Sequence, residues 1–186
     1  MTLGVMTALT TATKNTAVLD GVIDAVREIV GRGLAPEPTA HLVGQALRPV
    51  LSHPGLLTPE QCEGDPDRYR QHVLHAEPDG SFSVVALVWL PGQRTSIHDH
   101  VSWCVTGVHV GEESECRYFL ASDGQTSHLV PIEEVVNPTG SISAFAPPGD
   151  IHRVCNSGTA KAISIHLYGA DISRLGSSIR RTYPES

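Results

Sequence analysis

Two kinds of hydrophobic spacing divide the chain near residue 70. Before it, Val18, Leu19, Val22, Ile23, Val26, Ile29 and Val30 recur at the three- and four-residue steps that line one face of an α-helix. This run starts at Thr16, and "GRG" after Val30 supplies a stop. A second helix is expected from Thr39, just after Pro38, carrying Leu42, Val43, Ala46 and Leu47 toward "SHPG". The stretch "LLTPEQCEGDPDRY" reads as loop with one short helical turn.

After residue 70 short β-rich runs alternate with turn residues. The runs are "HVLHA", "FSVVALVWL", "TSIHDHVSWCVTGVHV", "ECRYFLA", "SHLVPIEEVV", "ISAF", "IHRVCN" and "AISIHLYG", punctuated by segments such as "EPDGS", "NPTGS" and "APPGD". Many short strands at such intervals predict a jelly-roll-like sandwich or barrel. The expected fold is mainly β with N-terminal α-helices. Residues 1–65 form a tail and helical cap, residues 66–186 form the core, and the last residues are a C-terminal tail. No internal repeat or low-complexity linker marks a further domain.

Composition narrows the function classes. With 186 residues, 40% of them hydrophobic, the chain can bury the core of one ordinary domain without a disulfide or metal staple. A formal charge of -7 and the lack of a basic run before the very end argue against nucleic acid as a partner. Nowhere do 18 apolar residues run together, so no membrane span is expected. The opening "MTLGVMTALTTATKNT" has no basic residues ahead of its mildly apolar part and reads as a frayed tail, not a signal peptide. Four cysteines without a CxxC pair fit a reducing, cytoplasmic setting. Nothing suggests an obligate interface, so a monomer or weak homo-oligomer is expected.

Ten histidines change the picture. On a strand, positions two apart share a face, so His98 and His100 aim together while Asp99 points away. Taken alone, the pair reads as two polar residues on a solvent-facing strand. Its context is "PGQRTSIHDH", with Gly92 before the pair and Cys104 and Gly111 after it. Downstream, "PPGDIHRVCN" supplies Pro147, Gly149, His152 and Asn156. These two segments resemble the two motifs of the cupin superfamily, with Cys104 in the place of the usual glutamate ligand. The resemblance implies a jelly-roll barrel and a metal held by His98, His100 and His152. Imidazole suits zinc, iron, copper and nickel alike, so the ligands by themselves leave the metal open.

A third segment, "SIHLY", puts Ser164, His166 and Tyr168 on one face of a strand. Alternating polar residues of this kind are also what a wet outer face looks like. Joined to the histidine pattern, the segment is similar to the Ser-His-Tyr relay of the thiol dioxygenases, the cysteine dioxygenase family, over residues 66 to 181. That likeness implies Fe(II) on the three histidines, O2 as co-substrate, and a small-molecule thiol converted to a sulfinic acid, with Tyr168 bonding the bound substrate or an oxygen intermediate. It has features of both the cysteine and the 3-mercaptopropionate types. Cys104 stands where the animal-type enzymes carry a cysteine cross-linked to the relay tyrosine, and Trp103 is shared with the bacterial type. A Cys104–Tyr168 thioether and a buried free cysteine lining the pocket are both open.

For the substrate carboxylate the resemblance points to Arg70 or Gln71, with His72 beside them if it faces the same way, or to the C-terminal Arg174, Arg180 and Arg181. Lengthened spacings around these arginines leave room for an unusual thiol, including a bulkier or heteroaromatic one. His41, His53, His75, His109 and His128 receive no metal role. The other readings are a zinc or nickel cupin hydrolase or isomerase, and a non-catalytic cupin that binds a small ligand. Neither has an obvious use for the relay phenol.

Overall fold

The computed structural model describes residues 16–185. The expected frayed tail lies outside the described residues except for Thr16. That threonine caps helix α1 (Ala17–Val30), accepting from the Leu19 amide at 3.2 Å and donating to the Leu56 carbonyl at 3.0 Å. Helix α2 (Pro36–Leu47) begins three residues before the expected Thr39. Pro36 and Pro38 occupy its first turn, where backbone N–H groups have no helical partner, so proline is tolerated. The expected helical turn in the next loop is a 3₁₀ turn at Glu60–Cys62.

Ten strands follow: β1 (Arg70–Ala76), β2 (Ser83–Trp89), β3 (Ile97–His100), β4 (Cys104–Val110), β5 (Glu112–Ser122), β6 (Ser127–Pro138), β7 (Ile142–Phe145), β8 (His152–Cys155), β9 (Ala162–Tyr168) and β10 (Ile179–Tyr183). A short helix α3 (Ile172–Leu175) precedes β10. One five-stranded sheet runs β1-β2-β9-β4-β7, and the other runs β10-β3-β8-β5-β6. The architecture is thus the expected mainly β, two-sheet fold with N-terminal helices.

The first sheet is covered on both faces, which explains why β2 reads as the unbroken apolar run "SVVALVW" instead of alternating. Val84, Ala86 and Val88, with Ile163, Ile165 and Leu167 of β9, face the helices and pack on Leu19, Val26, Val43 and Leu47. Val85, Leu87, Trp89, Cys104 and Tyr168 face inward, toward Val154 of the second sheet. Each such aliphatic side chain contributes roughly 1.5–3 kcal/mol on burial. The helices come so close to β4 that a Cβ on Gly107 would sit 2.8 Å from Leu47 Cδ2.

Two expectations change. The run from residue 95 to 110 is not one strand, because Val101–Trp103 forms a corner that passes the chain from β3 in one sheet to β4 in the other. The corner is pinned by Val101 N–H donating to Ser178 O at 3.0 Å and Gly169 N–H donating to Trp103 O at 3.1 Å. The C-terminal residues are not a free tail either. β10 pairs antiparallel with β3, placing Ile179 opposite His100 and Thr182 opposite His98. That pairing has a chemical cause in Asp99, which is buried with its side chain aimed away from the two histidines. Its Oδ2 accepts from Arg180 and Arg181 at 2.7 Å each and from the Tyr183 hydroxyl at 2.8 Å. Burial alone would raise the Asp99 pKa, but these donors outweigh it and hold the carboxyl well below the ordinary range.

Candidate metal centre

Strand alternation and register bring the three histidines together. His98 and His100 are two apart on β3, and His152 of β8 is the direct register partner of His98, so all three rings share the inner face of the second sheet. Their ring centroids lie 4.7 to 5.0 Å apart, and one donor atom from each falls within 4.8 Å of the others. All three are at least 96% buried, at 4%, 2% and 4% exposure.

The outward nitrogen of each ring is already committed. His98 Nδ1 donates to the Ser96 carbonyl at 2.9 Å, His100 Nδ1 to Asp150 Oδ2 at 3.1 Å, and His152 Nδ1 to Glu115 Oε1 at 2.8 Å. Each partner can only accept, so the proton sits on Nδ1 and the Nε2 lone pair is free. Burial, then the neighbouring histidines, push His98 well below its ordinary pKa; burial also lowers His100 against the opposing pull of Asp150. Three imidazoles with carboxylate or carbonyl partners behind them form the donor set a divalent transition metal takes.

Glu115 and Asp150 were not singled out by sequence reading. Asp150 lies two residues before His152, which was a usable signal, whereas Glu115 reaches His152 only through the β5–β8 pairing. Desolvation would raise the Glu115 pKa, yet His152 and Arg117 together bring it down to about 2. Because loss of such an outer partner typically weakens metal binding about 10- to 100-fold, Glu115→Ala is expected to do so here. Competition against a metallochromic chelator measures it, and unchanged affinity would show that Glu115 does not support the ligand.

Opposite the histidines, on the inner face of β9, stands the "SIHLY" segment. The alternation is therefore an interior face, not a wet one, with Ser164, His166 and Tyr168 at 0%, 4% and 5% exposure. Ser164 Oγ lies 2.8 Å from His166 Nε2, and the Tyr168 hydroxyl lies 3.0 Å from His166 Nδ1. Thr106 Oγ1 is 3.3 Å from the same Nδ1, and Trp89 Nε1 donates to Ser164 Oγ at 3.1 Å. Burial, then the nearby His152 and His100, take His166 down to about 3, and burial lifts the Tyr168 phenol well above its usual value. Both rings are thus neutral across the physiological range. The Tyr168 ring stacks 6.1 Å from that of His100, and Tyr168 and His166 line one cavity of about 380 Å³ with the three histidines, part of it open to solvent.

The remaining candidates separate cleanly. Gln71 lines the cavity with Tyr69, Thr95, Ser177 and Ser178, none of which except Gln71 was anticipated. Arg70 and His72 are on the opposite face of β1, where Arg70 Nη1 is 3.4 Å from Glu63 Oε2 and His72 Nε2 is 2.9 Å from the Glu63 carbonyl. Arg180 and Arg181 hold Asp99 behind β3, and Arg174 pairs with Asp171 at 3.0 Å. Among the described residues, no arginine or lysine lines the cavity. Cys104 is the register partner of Tyr168 across β4 and β9, fully buried, with a thiol pKa raised by desolvation. Trp103 instead packs in the core under the helices.

The family model described as "Cysteine dioxygenase type I" matches residues 61–177, which include His98, His100, His152, Ser164, His166 and Tyr168. The chain belongs to this family. It is 31% identical over 106 residues to "Cysteine dioxygenase type 1" of Homo sapiens, covering 56% of this chain and 52% of that protein. It is 30% identical over 106 residues, with the same coverage, to the Danio rerio protein of the same name. The chain thus spans about half the length of the curated relatives it matches. Solved structures similar to this cysteine dioxygenase family member include a Klebsiella pneumoniae protein with a double-stranded β-helix domain. It is 20% identical, with a TM-score of 0.46 over 60% of this chain and 85% of that one. A cupin 2 conserved barrel domain protein from Salinispora arenicola is 20% identical, with a TM-score of 0.41 over 60% and 83%. No described helix is long and apolar enough to cross a membrane.

Proposed function

We propose that this cysteine dioxygenase family member is a ferrous thiol dioxygenase that converts a small-molecule thiol to its sulfinic acid. The observation that carries this reading is that His98, His100 and His152, clustered as metal ligands, line one cavity together with Tyr168. Fe(II) held by His98, His100 and His152 would supply thiol deprotonation and the activation of dioxygen. The chain's own residues do the rest. Asp150, Glu115 and the Ser96 carbonyl fix the tautomers of the ligands. Leu87, Trp89 and Val154 wall off water from the reacting sulfur, and Tyr168, held by His166, presents a hydrogen-bonding oxygen beside it.

The wall also bears on the substrate. Without a cationic side chain among its described residues, it offers a carboxylate no bidentate arginine partner. Gln71, Ser177 and Ser178 supply neutral hydrogen bonds, and Tyr69, with its ring 4.6 Å from that of Trp89, supplies aromatic surface. This favours a thiol recognised by polarity and ring contact over one recognised by a carboxylate. The test is oxygen uptake by the Fe(II)-reconstituted chain against a panel of thiols, with sulfinate quantified. We expect kcat/KM for uncharged or heteroaromatic thiols to exceed that for cysteine and 3-mercaptopropionate by roughly tenfold or more, the worth of one charge-assisted pair. Absence of uptake with every thiol would reject the dioxygenase reading, and a preference for cysteine would reject the account of the wall.

A further inference from the structure

The cavity at the histidines reaches the edge of both sheets. β1 and β10 are the outermost strands there, and each contributes to the wall. Gln71 comes from β1 with Tyr69 just before it, and Ile179 comes from β10 with Ser177 and Ser178 just before it. The family model matches the chain only as far as residue 177, so most of the β10 side lies beyond what that model describes.

The register of β10 explains how Ile179 comes to face inward. Ile179 pairs with His100 and Arg181 with Asp99, so Arg180 is an extra residue between two successive positions of β3, a β-bulge. Direct partners on antiparallel strands share a face, which puts Ile179 on the inner side with the His100 ring and Arg181 on the outer side with Asp99. Strict alternation would turn Arg180 and Arg181 to opposite faces. The bulge lets both reach Asp99 Oδ2 at 2.7 Å while Ile179 stays on the side of the histidines. Asp99 is 1% exposed, and a carboxylate buried to that degree gives up its donors only at high cost, so the strand is held in this register. Val101 N–H donating to Ser178 O at 3.0 Å, and Ile179 N–H donating to Ser177 Oγ at 3.1 Å, fix the backbone on either side of the Ser178–Ile179 peptide. Isoleucine is also stiff at its first side-chain torsion, so the wall it forms does not readily swing aside.

We propose that Ile179 is a specificity-determining residue, whose side chain, held beside His100 by the bulge at Arg180, limits the bulk of the group carried by a ligand at the metal centre. That the ligand is a thiol rests on the reading above. The part of the thiol beyond its sulfur lies between Ile179 and the Tyr69 and Trp89 rings, all of which line the same cavity. No charged side chain lines that cavity among the described residues, so selection there is by volume. A misfit of one methylene in such a wall changes discrimination by roughly 10- to 200-fold.

Binding without dioxygen tests this. The full chain, loaded with cobalt(II) under anaerobic conditions, is titrated with 2-mercaptoethanol and with benzyl mercaptan, two uncharged thiols that differ in bulk, and the sulfur-to-cobalt absorption reports each affinity. In Ile179→Phe the affinity for benzyl mercaptan relative to 2-mercaptoethanol is expected to fall roughly tenfold or more. Both thiols bind the same metal, so a general loss of metal affinity cancels in the ratio. Thr182→Phe puts the same ring on the same face of β10, opposite His98 but outside the cavity, and is expected to leave the ratio unchanged. A ratio in Ile179→Phe equal to the parent's, an equal fall in Thr182→Phe, or no thiol binding at all overturns the proposal. Should Ile179→Phe not fold, Ile179→Ala decides in its place, with the ratio expected to rise and an unchanged ratio overturning the proposal. A chain that binds thiols with this selectivity yet consumes no oxygen fails the dioxygenase reading alone, and one that oxidises thiols with unaltered selectivity in Ile179→Phe fails this inference alone.

Discussion

His152→Ala is expected to lose its metal and all thiol-dependent oxygen uptake while keeping the β fold. His152 is the one ligand contributed by β8, and it closes the cluster by sitting directly across from His98 in the register. Without it, two nitrogens on one short strand remain, and a bidentate site holds a divalent ion far less tightly than a facial three-nitrogen one. The loss should exceed the roughly 100-fold upper figure for removing an outer hydrogen-bond partner alone. Glu115 then loses the His152 Nδ1 donor but keeps Arg117 at 3.0 Å, so its charge is not stranded and the fold survives. Metal content after dialysis against a chelator, an oxygen electrode and far-UV circular dichroism check the three parts. A variant retaining one metal ion and full activity would remove His152 from the ligand set.

Tyr168→Phe is expected to separate binding from chemistry. Phenylalanine preserves the ring that stacks near His100 and deletes only the hydroxyl. His166 Nδ1 keeps Thr106 Oγ1 as a partner at 3.3 Å, so the stability cost should be about 1 kcal/mol, that of one net hydrogen bond. No ligand nitrogen is touched, so metal content should match the parent. Turnover is expected to fall roughly 10²- to 10³-fold, the range for deleting one preorganised donor at a reacting centre. Because burial holds the phenol well above its ordinary pKa, the hydroxyl is present as a neutral donor or acceptor across the working pH range. Steady-state oxygen uptake and sulfinate formed per oxygen consumed measure the effect. Turnover within threefold of the parent would mean that the hydroxyl takes no part.

Much of this site could be read from the chain because its key residues are local. His98 and His100, and Ser164, His166 and Tyr168, are two apart on single strands, where the backbone itself dictates that they share a face. The helical stripe of α1 and its threonine cap were legible for the same reason. Even the outward direction of Asp99 followed from alternation.

What alternation leaves undetermined is which face meets which partner. The polar face of β9 became an interior wall because helices cover its other face and the second sheet covers this one, a matter of strand order. Arg70 and Gln71 are neighbours on β1, so one had to face the cavity and the other away; register with β2 gave the cavity to glutamine. Arg180 and Arg181 were claimed by Asp99 once β10 docked on β3, since a buried carboxylate binds nearby guanidinium groups more firmly than solvent does. Glu115 and Asp150 acquired their meaning only when pairing set them against His152 and His100. The sequence by itself thus determined the kinds of element, the histidines and the relay, because these depend on spacing along one strand or one helix. The tertiary structure decided what each carboxylate and arginine is for, because charge interactions depend on distances across strands that no local pattern encodes.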